Sequence, residues 1–389
     1  MHFKVRTLND IAARGLGRLP RDRYEVGAAI DQPDAILVRS ADMHAMEIPA
    51  SVKAVARAGA GTNNIPVAAL SQRGVPVFTA PGANANAVKE LVLAGLLLAA
   101  RHVCEAWDFV RRIEGEGEAL ETAVEQGKKR FVGHELPGRT LGVIGLGAIG
   151  VEVANAAHLL GMRVLGYDPQ ITVQRAWQLS SGVEQALSLD DVFARSDAVT
   201  VHVPLTEQTR ALVNARRLQL LRDGATLLNF ARAAIVDEEA VIAALDSGKL
   251  SAYVCDFPTF RTRNHRGVVA LPHLGASTSE AEENCAMMVA DTLRDFLENG
   301  NIRHSVNFPE AALPRVPATS RIAIANSNVP NMVGQISTRL AEAGLNISDL
   351  LNKSKGDVAY TLIDIDGQVP AGLVARIAEI QGVLCVRAV

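Results

Sequence analysis

Aromatic residues make up only 4% of these 389 residues, and cysteine occurs four times. The cysteines, Cys104, Cys255, Cys285 and Cys385, are far apart and form no CxxC. That spacing excludes a disulfide framework and a zinc-ribbon type of metal site, and it fits a reducing, cytoplasmic compartment. The most apolar run, LVLAGLLLAA at residues 91–100, is ten residues long. It is too short to span a bilayer and reads as a buried helix. The opening MHFKVRTLND lacks the apolar core of a secretory signal. No sign of charge dominates: 39 Lys and Arg stand against 42 Asp and Glu, for a net charge of -3. Nothing in that balance favours nucleic acid or an acidic membrane as a partner.

What is abundant is glycine in one place. LGVIGLGAIG, residues 141–150, has four glycines in ten residues. Gly145, Gly147 and Gly150 have the spacing GxGxxG, with Ala148 and Ile149 inside it. A strand-like stretch precedes them and a helix-like one follows. Eighteen residues beyond Gly150, at the end of the next strand-like stretch, stands Asp168. Together these form the dinucleotide fingerprint. The glycines let the backbone approach a pyrophosphate, and the helix N-terminus offers free N–H groups. A carboxylate at Asp168 accepts from both ribose hydroxyls and repels a 2′-phosphate, so NAD is expected over NADP.

The rest of the chain supplies the context. AILVRS and VPVFTA read as strands, and SVKAVARAGA and IPVAALSQRG as helices. RTLGVIG, MRVLGYD, DAVTVHVP, ATLLNFAR, SAYVCDF and GVVALP read as the strands of a second, longer parallel sheet. Residues 107–133 are charged and read as a solvated helix and linker. The proline-rich NIRHSVNFPEAALPRVPATS reads as a linker too. The last seventy residues alternate as βαββαβ, a ferredoxin-like unit.

A dinucleotide fold also needs a reacting group. In LLNFARAAIVDEEA, Arg232 follows a strand; in VVALPHLGASTSEAE, His273 follows another. Strand C-termini are where parallel sheets place their chemistry. Histidine exchanges a proton near neutral pH, and arginine grips a carboxylate with two parallel hydrogen bonds. On position alone, either residue is as readily incidental.

RTLGVIGLGAIG, VHVPLT, LLNFARAAIVDEEA and ALPHLGASTSEAEEN together resemble the D-2-hydroxyacid dehydrogenases. The C-terminal unit resembles an ACT domain. The resemblance implies a Rossmann-like nucleotide domain inserted in a flavodoxin-like substrate domain. The expected boundaries are 1–86 and 275–310 for the substrate domain, 87–274 for the nucleotide domain, 311–318 for a linker and 319–389 for the ACT domain. It implies Arg232 on the substrate carboxylate and His273 as acid and base. It puts Asp256 at the nicotinamide carboxamide, with His202, Pro204 and Ala231 beside the cofactor. Arg39, Ala60, Gly61 and Asn84 fall in substrate loops, and Arg39 is matched to a phosphate. The implied substrate is a phosphorylated hydroxy acid, D-3-phosphoglycerate. 2-Oxoglutarate reduction and a non-catalytic NAD-sensing role are the alternatives. A homodimer or homotetramer is implied, as is an amino-acid effector at Asn328 and Asn346. No metal is expected.

The chain departs from this pattern. Relatives carry a glutamate partner for the histidine about five residues past the acid. Here that position is Arg261, and residues 257–272 contain no Asp or Glu. A distant acid stands in, or His273 works unpaired, or the chain has another role. In the C-terminal unit, Asn326 stands where serine-sensitive relatives have histidine, and Asn331 replaces a glycine. Assembly is the alternative role for that unit.

Overall fold

The protein is described here by a computed structural model covering residues 2–316 and 319–389. It divides into two compact units, Met1–Ala83 with Glu282–Val389, and Asn84–Ala281.

The first unit opens with five parallel strands, β1 (Phe3–Leu8), β2 (Tyr24–Gly27), β3 (Ala35–Val38), β4 (Ala54–Arg57) and β5 (Val77–Phe78), and the short helices α1 (Ala13–Leu16) and α2 (Val67–Gln72). The strand order is β2-β1-β3-β4-β5. The sequence pattern predicts no strand for FKVRTL or YEVG, and it predicts a helix for SVKAVARAGA. The latter is β4. Its Ala54, Val55 and Ala56 are fully buried between β3 and β5. Burial on both faces of a parallel sheet overrides the helix preference of the alanines.

The second unit begins with α3 (Ala85–Ala100), α4 (Val103–Arg111) and α5 (Glu118–Gly127). Helices α4 and α5 bury almost nothing, in keeping with their charge. Seven parallel strands follow: β6 (Thr140–Ile144), β7 (Arg163–Tyr167), β8 (Val183–Gln185), β9 (Ala198–Val201), β10 (Ala225–Asn229), β11 (Leu250–Cys255) and β12 (Val268–Ala270). Strand β8 is also absent from the sequence reading. Their order is β12-β11-β10-β9-β6-β7-β8, reversing between β6 and β9. The helices are α6 (Ala148–Leu159), α7 (Val173–Ala176), α8 (Leu189–Arg195), α9 (Ala215–Leu220) and α10 (Glu238–Asp246). One face of the sheet packs on α3 and α6 through Val92, Leu96, Val151 and Ala154. The other packs on α8 to α10 through Phe193, Leu218 and Val241. Ser188, Asn214 and Asp237 each cap one of those three helices, accepting a backbone N–H at 3.1–3.2 Å.

The chain returns through α11 (Ser279–Asn299). Val289, Leu293 and Phe296 on this helix share a core with Val5, Leu37 and Phe78 of the first sheet. The proline-rich stretch read as a linker is instead packed. Phe308, Ala311 and Leu313 are buried, and Ile302 and Ala311 exchange backbone hydrogen bonds at 2.7 and 3.0 Å. Of the expected linker 311–318, Pro317 and Ala318 lie outside the described residues.

The C-terminal part runs β13 (Thr319–Ser327), α12 (Met332–Glu342), β14 (Ile347–Lys355), β15 (Val358–Asp366), α13 (Leu373–Ala378) and β16 (Val383–Ala388). Its sheet is antiparallel, in the order β14-β15-β13-β16, the ferredoxin-like arrangement of an ACT-type unit. The two-residue period of β13 sorts its side chains. Ile322 and Ile324 meet Ile336 and Leu340 of α12. Ala323 and Ala325, facing the other way, join the core around α11. Among the described residues no helix is long and apolar enough to cross a membrane, and no cluster of His, Cys, Asp or Glu is placed to hold a metal ion.

Candidate active site

The turn after β6 is shaped by its glycines. Gly145 has φ of +90°, and a Cβ there would meet the His202 carbonyl oxygen at 2.8 Å. Gly147 caps the N-terminus of α6, and no atom lies within 4 Å of where its Cβ would be. That open space borders the free N–H groups of a helix N-terminus, in which Ala148 and Ile149 form the first turn. Gly150 faces the turn itself and packs helix on strand.

Asp168 follows β7 and is half-buried. Its two oxygens accept the backbone N–H groups of Leu146 at 2.9 Å and Gln170 at 2.8 Å. Each oxygen keeps a lone pair for a further donor. His202 follows β9, with Nε2 3.0 Å from Thr200 Oγ1. Burial pushes its pKa down to about 4. Pro204, two residues on, is exposed.

Three neighbouring strands supply the rest. Arg232 comes soon after β10, Asp256 directly after β11 and His273 soon after β12. Arg232 and His273 are exposed, whereas Asp256 is 1% exposed. Asp256 Oδ2 accepts the Gly275 N–H at 3.1 Å, but Oδ1, buried, has no partner among the described residues. Burial pushes its pKa up, against the pull of the Gly275 N–H, His273 and Arg232. A cofactor amide donor would satisfy that orphaned oxygen. His273 has φ of +39° and donates its backbone N–H to the Asp256 carbonyl at 3.0 Å. Its ring lies against Phe257, centroids 4.8 Å apart. Among the described residues no carboxylate stands within 4.0 Å of it, and Arg261 pairs with Glu239 at 3.0 Å instead.

Sequence reasoning missed Asn229. This residue is fully buried at the end of β10. Its Nδ2 donates to the Arg232 carbonyl at 3.0 Å, and its Oδ1 accepts the Ala231 N–H at 3.1 Å. It therefore holds the turn that presents Arg232. The available signal was a lone amide in the otherwise apolar run LLNF.

The remaining expected residues belong to other stretches of the chain. Asn84 precedes α3 in the second unit. Arg39, Ala60 and Gly61 belong to the first unit, after β3 and β4. Arg39 donates to Glu282 of α11, a partner no sequence reading supplied. In the C-terminal unit, Asn328 donates to the Gly356 carbonyl at 3.0 Å and Asn346 to Asp366 at 2.7 Å.

A glycine turn on a strand order that reverses there, with an acid after the next strand, defines a dinucleotide-binding protein. Residues 93–275 match the D-isomer specific 2-hydroxyacid dehydrogenase, NAD binding domain. The D-3-phosphoglycerate dehydrogenase of Haemophilus influenzae is 33% identical over 338 residues, covering 84% of this chain and 78% of its own. That of Archaeoglobus fulgidus is 36% identical over 300 residues, 74% of this chain, but the match spans only 54% of its own length. Among solved structures, apo D-mandelate dehydrogenase of Rhodotorula graminis superposes with a TM-score of 0.67 at 25% identity, over 81% of this chain and all of its own. The NAD+-bound 3-phosphoglycerate dehydrogenase of Entamoeba histolytica does so at 0.60 and 25%, over 79% and 99%. The chain belongs to the D-isomer specific 2-hydroxyacid dehydrogenase family, and its cofactor is NAD.

Proposed function

We propose that this protein oxidises the 2-hydroxyl of D-3-phosphoglycerate to 3-phosphohydroxypyruvate, the step that leads from glycolysis toward L-serine. The observation that carries the reading is the delivery of Arg232, Asp256 and His273 by three adjacent strand ends. The names of the relatives from Haemophilus and Archaeoglobus support the substrate.

In this reading NAD supplies the hydride acceptor. Gly145, Gly147, Ala148, Ile149 and Gly150 accommodate its pyrophosphate, and Asp168 accepts from its ribose. Asp256 Oδ1 accepts from the carboxamide, and His202, Pro204 and Ala231 flank the cofactor. Arg232 grips the substrate carboxylate and His273 takes the hydroxyl proton. In the first unit Arg39 meets the phosphate and Ala60 and Gly61 are substrate-loop residues, and in the second unit Asn84 is one. A second reading, reduction of 2-oxoglutarate, places a carboxylate where the phosphate would lie. That no carboxylate among the described residues stands within 4.0 Å of the His273 ring nitrogens favours a third, an NAD-sensing protein without turnover.

The protein works in this reading as a homo-oligomer in the cytoplasm. An exposed stripe of Val103, Trp107 and Val110 on α4, at i, i+4 and i+7, supports self-association, and four free thiols suit a reducing compartment. An amino-acid effector would have to compete with the bonds that Asn328 and Asn346 already make. The test is an NADH absorbance assay with 3-phosphohydroxypyruvate, 2-oxoglutarate and glyoxylate. Selective turnover of the phosphorylated keto acid is expected. Faster turnover of 2-oxoglutarate would move the assignment to the second reading, and tight NADH binding without turnover to the third.

A further inference from the structure

We propose that Glu282 sets the charge preference of the anion subsite at Arg39, acting as an internal anion that a substrate group must displace. The inference rests on the reading that Arg39 meets the far anionic group of the substrate.

Arg39 follows β3 at the C-terminal edge of the first sheet, where open α/β sheets take their ligands. Its backbone is held: the carbonyl accepts from Arg57 Nε at 2.9 Å and from Asn64 Nδ2 at 3.4 Å. Among the described residues its side chain is engaged by one carboxylate, with Nη2 donating to Glu282 Oε1. The two side chains are 41% and 38% exposed, so water reaches the pair. An ion pair of that kind is weak and exchangeable. Cys285, one helical turn along α11, lies within electrostatic reach of Arg39, Arg57 and Glu282.

The backbone that carries Glu282 is not free to retreat. A Cβ at Gly15 would stand 2.4 Å from Ala286 Cβ, so α1 and α11 are in close contact. Glu283 pairs with Arg14 at 2.7 Å, Asp291 with Arg18 at 2.8 Å and Glu298 with Arg23 at 3.0 Å. At the C-terminal end of the helix, Arg387 donates to the Phe296 and Leu297 carbonyls and Arg321 to that of Asn299. A fixed helix therefore presents a half-exposed carboxylate. An incoming anion must break the bond to Glu282 and then remain beside its charge. That repulsion is about twice as large for a dianion, such as a phosphate monoester, as for a carboxylate. Glu282 thus favours singly charged groups at Arg39 relative to doubly charged ones.

Glu282→Gln removes the charge and keeps the size. Titration calorimetry of the full-length protein saturated with NADH, with inorganic phosphate and separately with acetate, reads the anion sites that the cofactor leaves open, and the difference between variant and wild type reads the Arg39 subsite. Phosphate affinity is expected to rise roughly two- to fivefold in the variant, and acetate affinity by less. The ratio of kcat/KM for 3-phosphohydroxypyruvate to that for glyoxylate should rise in parallel. Glu283→Gln, whose carboxylate faces Arg14, is the control and should leave phosphate affinity as in the wild type. Unchanged or weaker phosphate binding by Glu282→Gln would overturn the inference. So would an equal gain in Glu283→Gln, or no phosphate binding by any of the proteins. If wild type fails to turn over the phosphorylated keto acid while Glu282→Gln still binds phosphate more tightly, the substrate reading falls and the subsite inference stands.

Discussion

Gly150 sits directly over the carbonyl oxygen of Gly145: a Cβ at position 150 would stand 1.8 Å from that oxygen. Gly147, between them, would meet nothing within 4 Å. The two glycines therefore serve different ends, and substitution separates them. Gly150→Ala sets side chain against backbone and must push α6 off β6. Its thermal unfolding temperature should drop by several degrees, even without cofactor. Gly147→Ala should melt like wild type but lose NADH affinity, since its methyl enters the space proposed for the pyrophosphate. Differential scanning fluorimetry with and without NADH checks both. Equal melting temperatures for the two variants would remove the distinction.

His202 gives a prediction with a definite sign. Its pKa falls from 6.5 to about 4 because the ring is buried. Between those values the unfolded chain binds the proton and the folded one does not. Stability contributed by neutral His202 is present above about pH 6.5 and lost as pH falls toward 4. His202→Asn removes the titration and keeps a polar atom near Thr200. Urea unfolding at pH 7.5 and pH 4.5 should show a smaller loss for the variant than for wild type. Equal losses would mean that His202 does not titrate in this way.

The legible part of this protein was the part whose chemistry needs a local pattern. The turn at Gly145 to Gly150, the acid at Asp168 and the alternation of β13 to β16 all follow from short-range constraints on backbone and burial. β4 was misread because its alanines favour helix, and only the neighbouring strands bury both of its faces. β1 and β2 went unread because charged residues, Lys4 and Arg6 in one and Glu25 in the other, interrupt their apolar positions. At the site, Arg232 and His273 stood out because each follows a strand. Asn229 and Glu282 did not, since their partners are a turn carbonyl and an arginine 243 residues away.

Arg321 and Asp364 form an ion pair at 2.6 and 2.7 Å with both side chains fully buried. The other guanidinium N–H groups go to the carbonyls of Asn299, Leu313 and Pro314 at 2.8–3.0 Å. β13 is thereby fastened to the stretch that follows α11. Arg321→Met leaves Asp364 charged, buried and unpaired, and should cost about 3–5 kcal/mol in denaturant unfolding. Arg321→Met with Asp364→Leu should recover a large part of it, because no charge is then stranded. A double variant no more stable than the single one would show that the bonds to the carbonyls, and not the pair, dominate.

Arg232→Ala separates substrate from cofactor. The side chain is exposed and, among the described residues, its one hydrogen bond is to the adjacent Ala231 carbonyl at 2.6 Å, so the fold does not depend on it. NADH affinity, followed by fluorescence, should stay near wild type. Loss of a charged contact to the substrate carboxylate should cost about 3 kcal/mol, roughly a hundredfold in kcat/KM for the keto acid. A comparable loss of NADH affinity would place the arginine on the cofactor instead.

Asp256 joins function and stability in one atom. Its carboxyl is buried, Oδ1 is unpaired, and burial raises its pKa above 3.8. The folded state therefore holds the proton more tightly than the unfolded one. A stability penalty sets in as pH rises through the folded pKa, and it is fully present where the group is ionised. Asp256→Asn keeps an oxygen for the Gly275 N–H and removes the buried charge. At pH 7 the variant should melt roughly 2–4 °C higher than wild type without cofactor, and the gain should vanish in acid. The same change puts an amide donor where the cofactor carboxamide needs an acceptor, so NADH should bind about tenfold or more weakly. Opposite shifts in melting temperature and NADH affinity are the expected signature, since removing a buried charge stabilises the protein while the amide donor faces the donor of its ligand. A variant that melts lower at pH 7 and still binds NADH fully would show that Asp256 serves the fold rather than the cofactor.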